Sequence, residues 1–299
     1  MKNIQNKHTF AVLGGDLRQS TVARKLIESG GKVKIFGLNC GGSIVGAEIC
    51  MTVERAVSGC DVIILPLPAS RDNVNLSVSD RSYPAVPLCD IVKLAEKYDV
   101  KTILGGMLPE ETVNTCRKLG IIAYDYYKNE TLQEKNALPS AEGALMVAME
   151  NTDITVFGMR ALVCGYGRIG KRLASILKKL GACVSVAARR DEVLCEIAMS
   201  GYDAVRIDSN FPNNDEYDVI FNTVPYVIFH EKAISKICGT PLYIEIASKP
   251  GGIDIASARN RSIRVINAPS LPGKYSPLSA GEYIFETISE MLAEGGEES

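Results

Sequence analysis

Short apolar runs alternate along the chain with amphipathic stretches of helical period, and this alternation predicts parallel strands joined by helices. In the first half, the apolar runs predict strands at 10–13, 33–36, 61–65, 102–104 and 121–123. The amphipathic stretches between them predict helices at about 20–29, 88–98 and 110–119. The first half therefore has the pattern of a parallel α/β sheet.

The second half repeats this pattern. Its apolar runs predict strands at 160–164, 184–187, 219–222, 242–246 and 264–266, and a last amphipathic stretch predicts a helix at about 279–292. We therefore predict an α/β protein made of two Rossmann-like, doubly wound parallel-sheet domains with an inter-domain cleft.

The two halves meet at Leu138-Pro139-Ser140, where proline and a good N-cap residue predict the start of a helix. We expect Ser140 to cap a connector helix that runs to about Asn151. The predicted organisation is an N-terminal, substrate-side α/β domain (1–138), the connector helix (139–152), a Rossmann domain that binds the cofactor (153–278) and a C-terminal helix with an acidic tail (279–299).

Composition excludes several classes of protein. The 33 Lys and Arg residues nearly balance the 35 Asp and Glu residues, so we expect no nucleic-acid partner. The nine cysteines form no Cys-x-x-Cys pair and there are two histidines, so we expect no metal site and a cytoplasmic location. The apolar runs fall far short of the ~20 residues that cross a bilayer, so we expect no membrane partner.

A glycine-rich motif carries the clearest chemistry. Gly-Tyr-Gly-Arg-Ile-Gly at 165–170 directly follows a predicted strand and precedes a predicted helix, which is the context of a dinucleotide-binding turn. Gly165 would form the tight turn, Gly167 would admit the pyrophosphate, and Gly170 would let helix and strand pack closely. With Arg168 and Ile169, these glycines start a helix whose N-terminus favours an anion.

The end of the following strand predicts which dinucleotide is bound. NAD-selective sites place an acidic residue there, whereas this chain has Arg189 and Arg190. Guanidinium groups suit a 2′-phosphate, so we predict NADP as the cofactor, with Arg189 the main contact. The alternative is that the arginines are solvated, or paired with Asp191 or Glu192.

Loops at strand ends supply the other site candidates, because ligands of doubly wound sheets bind at the carboxyl ends of the strands. The loop Thr223-Val224-Pro225 would pass beside the cofactor, or it is an ordinary turn. Cations on such loops suit a small dicarboxylate. The predicted substrate-binding residues are Arg18, Ser70, Arg71, Ser140, Gly251 and Lys274.

Two residues are candidates for catalysis. Lys249 lies on a strand-end loop next to Pro250, and would hold a substrate carboxylate. Glu142 lies two residues after Ser140 and would orient the substrate or relay a proton. The alternative for Glu142 is that it only stabilises the start of a helix through the helix dipole.

Several motifs together resemble a known family. They are Val-Leu-Gly-Gly-Asp-Leu-Arg-Gln at 12–19, Leu-Pro-Ser-Ala-Glu-Gly at 138–143, the glycine motif at 163–170, Ala-Ser-Lys-Pro-Gly-Gly-Ile-Asp at 247–254 and Ala-Pro-Ser-Leu-Pro-Gly-Lys-Tyr-Ser-Pro at 268–277. Their sequence and spacing resemble the A subunits of dipicolinate synthases from spore-forming bacteria, along essentially the whole chain.

The resemblance implies an activity and partners. It implies oxidation of dihydrodipicolinate to dipicolinate with NADP⁺ as acceptor, in the mother-cell cytoplasm during sporulation. It also implies a partner of flavoprotein-like fold, the B subunit of dipicolinate synthase, and we expect the chain to form a homo-oligomer.

More distantly, the layout resembles D-2-hydroxyacid dehydrogenases and alanine dehydrogenase. Hydroxyacid dehydrogenases place a catalytic histidine before the last helix, where this chain has Lys274-Tyr275-Ser276, and this counts against alcohol oxidation. Two alternatives remain at this point: a non-catalytic subunit that senses the dinucleotide, and an NADP-dependent dehydrogenase of another small carboxylate.

Overall fold

The computed structural model describes residues 8–38, 44–79, 82–212 and 215–294, so the end of the predicted acidic tail lies outside the described residues. The chain divides into two compact units. Unit 1 comprises Met1–Asn136 together with Ser276–Ser299, and unit 2 comprises Ala137–Tyr275. Among the described residues, none of the helices combines the length and the apolar character needed to span a membrane.

Unit 1 contains a six-stranded parallel sheet in the order β3-β2-β1-β4-β5-β6. Its strands are β1 (Thr9–Leu13), β2 (Lys32–Phe36), β3 (Ala47–Ile49), β4 (Val62–Ile64), β5 (Thr102–Gly105) and β6 (Ile122–Asp125). Its helices are α1 (Leu17–Glu28), α2 (Val53–Val57), α3 (Leu88–Lys97) and α4 (Glu110–Lys118). The helix α5 (Glu130–Asn151) follows and contains the boundary between the units.

Unit 2 contains a second six-stranded parallel sheet, in the order β12-β11-β10-β7-β8-β9. Its strands are β7 (Arg160–Cys164), β8 (Cys183–Ala188), β9 (Asp203–Arg206), β10 (Val219–Asn222), β11 (Leu242–Glu245) and β12 (Val265–Asn267). Its helices are α6 (Arg168–Lys179), α7 (Asp191–Met199), α8 (Glu231–Ile234), α9 (Ile255–Asn260) and α10 (Leu271–Tyr275). The last helix, α11 (Pro277–Glu294), belongs to unit 1.

Alternating residues of each central strand are buried on opposite faces of the sheet. In β1, Ala11 and Leu13 pack in one hydrophobic cluster, whereas Phe10 and Val12 pack in another. In β7, Val163 pairs with Val186 on one side and with Phe221 on the other. Two buried faces explain why these strands appear in the sequence as continuous apolar runs. The predicted fold, two doubly wound parallel sheets, is confirmed.

The predicted connector helix is wrong at its start. The helix begins at Glu130, and Pro139 and Ser140 lie inside it, so Ser140 is not an N-cap. A proline in a helix interior costs ~3 kcal/mol. Buried residues on both sides of Pro139, among them Ala137 and Ala141, pack the helix along its length and offset this cost. Glu142 is therefore a mid-helix residue, which removes the argument from the helix dipole.

The C-terminal helix α11 packs closely on α1. A Cβ atom added at Gly281 would lie 2.6 Å from the carbonyl oxygen of Arg18 and 2.6 Å from Cβ of Thr21. The side chains Ile284 and Ile288 are buried in the same cluster as Phe10 and Val12 of β1. This packing makes the last helix part of the first unit, although more than a hundred residues separate them in sequence.

Candidate functional site

The turn after β7 requires glycine at two positions. Gly165 has a φ of +95°, and a Cβ atom there would lie 2.4 Å from Oγ1 of Thr223. A Cβ atom at Gly170 would lie 2.0 Å from the carbonyl oxygen of Gly165. Both contacts are shorter than van der Waals separation, so side chains at these positions would break the close approach of α6 to the end of β7. The turn is tight because these two residues are glycines.

The middle glycine has a different environment. Gly167 is the N-cap residue of α6, and no side chain caps that helix. A Cβ atom at Gly167 would meet nothing within 4 Å. The first N–H groups of a helix have no intrahelical partner, and together with the helix dipole they favour an anion. Arg168 and Ile169 form the first turn of α6, which contains no acidic residue to oppose an anion.

A groove of about 290 Å³ opens at this turn. It is lined by residues 165–167, 187–190, 193, 207 and 223–226. The structure therefore brings together the glycine turn, the arginines after β8 and the loop after β10, which the sequence predicted to act together. These elements meet because β7, β8 and β10 are neighbours in the sheet and their carboxyl ends lie at one edge.

The arginine end of the groove is partly ordered by an aromatic ring. The guanidinium of Arg189 lies 4.5 Å from the ring centroid of Tyr226, which is a cation–π distance. Arg190 is the N-cap residue of α7, and its side chain does not cap the helix. Asp191, which the sequence offered as a partner for these arginines, forms an ion pair with Arg206 instead.

A buried polar network holds the loops after β10 and β11. The Glu245 carboxylate accepts hydrogen bonds from Nδ2 of Asn222 (2.7 Å) and from the Gly252 amide (2.7 Å). The Asn222 amide group also donates to the carbonyl oxygen of Val224 (2.9 Å). Asn222 is fully buried and Glu245 is 6% exposed, so these hydrogen bonds offset the cost of burying both side chains. The network fixes the loops that carry Thr223 and Lys249.

Thr223 and Gly251 lie in the two loops that this network holds. The hydroxyl of Thr223 donates to the carbonyl oxygen of Cys164 (2.8 Å), which ties the loop after β10 to the end of β7. Gly251 has a φ of +84°, and a Cβ atom there would lie 3.1 Å from Oε2 of Glu245. Lys249 itself is exposed. The tight turn therefore presents Lys249 to solvent from a backbone that the buried carboxylate holds.

Two other candidates of unit 2 have partners or are buried. Nζ of Lys274 donates to the hydroxyl of Tyr275 (2.7 Å), which in turn donates to the Glu150 carboxylate (2.9 Å). This hydrogen bond to Tyr275 raises the pKa of Lys274, so the ammonium form is favoured. Ser140 is buried within α5, whereas Glu142 is exposed on the same helix.

In unit 1, Arg18 is already paired. Its guanidinium donates to the Asp16 carboxylate at 2.9 Å and 2.8 Å and to the carbonyl oxygen of Leu67 at 2.6 Å. Arg18 and Arg71 both line a small cavity, and Arg71 is exposed. Oγ of Ser70 donates to the Asp72 carboxylate (2.9 Å). The roles of these residues in substrate binding stay predictions.

Three residues of the site escaped the sequence analysis. Tyr226 directly follows the predicted loop, and only the fold places its ring under Arg189. Arg206 ends β9, a four-residue strand that is charged at both ends and so gave no apolar run. Glu245 had a usable signal, because it is an acidic residue inside an otherwise apolar strand.

Two family matches cover most of the chain. Residues 9–127 match the N-terminal domain of the dipicolinate synthase A subunit. Residues 140–270 match the NAD binding domain of S-adenosyl-L-homocysteine hydrolase.

Individual proteins match over nearly the full length. The A subunit of dipicolinate synthase from Bacillus subtilis (strain 168) is 29% identical over 286 residues, which cover 95% of this chain and 96% of the relative. The crystal structure of the dipicolinate synthase A subunit from Bacillus halodurans has a TM-score of 0.84 at 27% identity, covering 96% of this chain and 98% of that chain. The A chain of the Bacillus subtilis enzyme has a TM-score of 0.81 at 28% identity, covering 98% of both chains. The resemblance of this chain to the family of dipicolinate synthase A subunits, predicted from its motifs, is confirmed.

Proposed function

We propose that the chain catalyses the NADP⁺-dependent oxidation of dihydrodipicolinate to dipicolinate, in an assembly with a second subunit. The observation that carries this proposal is the groove at the glycine turn, which ends in two arginines, in a chain similar along its length to dipicolinate synthase A subunits. The match of residues 140–270 to an NAD binding domain supports the same placement of a dinucleotide.

The residues that line the groove fit a dinucleotide. The open space at Gly167 and the start of α6, which no side chain caps, suit a pyrophosphate, because the first N–H groups of a helix lack intrahelical partners and favour an anion. Arg189 and Arg190 suit a 2′-phosphate, and Thr223, whose position is fixed by β7, would lie beside the ribose. When bound, NADP⁺ supplies the hydride acceptor.

The substrate requires cations for two carboxylates. Lys249 is exposed on a turn whose backbone Glu245 holds, so its charged side chain extends from a fixed point of the backbone. Glu142, exposed on α5 in the same unit, would orient the substrate or accept the ring proton that is lost on aromatisation. Because the product is aromatic, loss of this proton needs no strongly basic residue. Arg18 is a weaker candidate than Arg71, since Asp16 already balances its charge.

Hydride transfer tests the proposal directly. The chain, alone and with the second subunit, is mixed with dihydrodipicolinate and NADP⁺, and formation of reduced nicotinamide is followed by absorbance. We expect reduction of NADP⁺ that depends on dihydrodipicolinate. A chain that binds NADP⁺ but never reduces it in either preparation would be a dinucleotide-sensing subunit. Reduction with a different small carboxylate only would make it another dehydrogenase.

Two variants test the catalytic residues. Lys249→Met keeps the side-chain stem and removes the charge, so we expect turnover to fall by ~10-fold or more while NADP⁺ affinity is unchanged. Glu142→Gln keeps the shape and should also reduce turnover. Lys232→Met, at an exposed position of α8, is the matched control and should keep full activity. Wild-type turnover in both test variants contradicts these assignments.

A further inference from the structure

An ion pair lies next to the arginine end of the groove. Arg206, the last residue of β9, donates to the carboxylate of Asp191, the first residue of α7. We propose that Arg206 is a specificity-determining residue: it holds the Asp191 carboxylate outside the groove and thereby permits a phosphate on the 2′-oxygen of the ribose. The inference rests on the proposed NADP⁺ preference and names a residue that establishes it.

The sheet register places Arg206 for this contact. Arg206 pairs with Ala188, the last residue of β8, so its side chain starts beside the point where the chain leaves the sheet. One guanidinium nitrogen donates to the carbonyl oxygen of Arg189 at 3.4 Å, and another donates to Asp191. A single side chain from the neighbouring strand thus contacts both the backbone of Arg189 and the acidic side chain two residues later.

Asp191 is absent from the groove although its neighbours form it. Arg189, Arg190 and Val193 line the groove, whereas Asp191 and Arg206 do not. The Asp191 side chain is 78% exposed, so no packing keeps it in place. Among the described residues, the ion pair with Arg206 is the contact found for its carboxylate.

The position of Asp191 makes this contact important for the choice of cofactor. An acidic side chain just after the second strand is what NAD-selective sites use to bind the ribose 2′-hydroxyl, and the same charge repels a 2′-phosphate. Asp191 is three residues beyond the end of β8. If Arg206 does not hold it, its carboxylate would be free to approach the site of the ribose 2′-oxygen. Asp208 also attracts the Arg206 guanidinium electrostatically, but its carboxylate accepts a hydrogen bond from the Asn210 amide at 2.7 Å.

Binding constants of the complete chain for NADP⁺ and NAD⁺, measured by calorimetry without substrate, test the inference. In Arg206→Met the preference for NADP⁺ over NAD⁺ should fall by ~10-fold, because Asp191 becomes free to enter the groove. In the double variant Arg206→Met with Asp191→Asn the preference should return to within ~3-fold of wild type. Asp191→Asn alone should keep the wild-type preference.

A matched control separates this effect from the loss of any surface ion pair. Arg160 pairs with Glu216 and Asp218 at the amino end of the same sheet, and Arg160→Met should leave the preference unchanged. If the wild type prefers NADP⁺ and Arg206→Met has the same preference, the inference is overturned but the proposed cofactor is not. A lowered preference that Asp191→Asn does not restore overturns the route through Asp191. A wild type that prefers NAD⁺ overturns the proposed cofactor, and this inference with it.

Discussion

The turns after β1 and β7 occupy the same place in two sheets of the same strand order, but only the first supplies a side chain that caps the following helix. In unit 1 the N-cap of α1 is Asp16, and its carboxylate accepts the amide of Arg18 at 3.0 Å. The same carboxylate binds the Arg18 guanidinium. In unit 2 the N-cap of α6 is Gly167, which has no side chain to serve this purpose.

The difference shows how one architecture gives two kinds of turn. Unit 1 satisfies its helix N-terminus internally, with an anion that belongs to the chain. Unit 2 has no capping side chain at the equivalent helix start, which lies beside a groove where an external anion can take the place of the carboxylate. The fold therefore does not identify the dinucleotide site, and the N-cap residue is one feature that distinguishes the two turns.

Removing the internal anion should have the largest effect. Asp16→Ala loses an N-cap and leaves Arg18, whose side chain is 7% exposed, without its partner. We expect the free energy of unfolding to fall by about 3 kcal/mol, measured by urea denaturation. Asp254→Ala is the matched control, because Asp254 caps α9 by accepting a hydrogen bond from the Ser257 amide and, among the described residues, forms no ion pair. Loss of this cap should lower the free energy of unfolding by about 1 kcal/mol. Equal losses in the two variants would contradict the role of the buried pair.

The same carboxylate predicts a pH dependence. Burial raises the pKa of Asp16, but the hydrogen bonds and charge of Arg18 outweigh burial and hold this pKa below its usual value of 3.8. A lowered pKa in the folded state stabilises the fold above the unfolded pKa, and this stabilisation is lost as the pH falls through the folded pKa. The difference in stability between wild type and Asp16→Ala should therefore be full at neutral pH and shrink below about pH 4.

Transferring the unit 1 arrangement to unit 2 should abolish dinucleotide binding. Gly167→Asp puts a carboxylate at the open N-cap, where a Cβ atom meets nothing within 4 Å, so the fold should survive. We expect NADP⁺ affinity to fall by ~100-fold or more, measured by calorimetry, because the carboxylate competes for the N–H groups and repels the pyrophosphate. Gly167→Ala, which adds no charge, should lose less. Wild-type binding by Gly167→Asp would place the pyrophosphate elsewhere.

The smallest effects concern the other end of the groove, which has no counterpart in the Asp16 turn. Arg189→Ala should weaken NADP⁺ by ~10-fold or more and NAD⁺ far less, because a charged hydrogen bond to the 2′-phosphate is lost. Tyr226→Leu removes the ring beneath Arg189 and should weaken NADP⁺ by ~2- to 5-fold. Tyr226→Phe keeps the ring and should bind as wild type. If Arg189→Ala weakens both cofactors equally, the 2′-phosphate lies elsewhere.

Much of the fold could be predicted from the sequence, and most reliably for the central strands. The strands Arg160–Cys164 and Val219–Asn222 have the predicted bounds, because central strands that are buried on both faces contain a largely apolar run. The short edge strands Ala47–Ile49 and Asp203–Arg206 were missed, since a partly exposed edge needs no apolar run. The glycine turn was found because its requirement for glycine is local.

Contacts between distant residues set the limits of such prediction. Proline at 139 suggested a helix start, but packing on both sides of it carries α5 through that position. The hydrogen-bond partners of Asp191 and Asn222 lie 15 and 23 residues away along the chain, so the sequence alone could not assign these contacts. Arg18 was predicted to bind substrate, and this stays a prediction, but its hydrogen bonds to the Asp16 carboxylate and the Leu67 carbonyl oxygen could not be read from the sequence.

The sequence by itself determined the two doubly wound sheets, the glycine turn and the arginines after β8, because strand burial, turn geometry and charge are properties of short segments. Only the tertiary structure decided that Tyr226 supports Arg189, that Arg206 binds Asp191 and that Glu245 holds the Lys249 loop. The first two of these contacts join different strand ends, which the order and register of the sheet bring together. That order results from packing the whole core, which no single segment encodes.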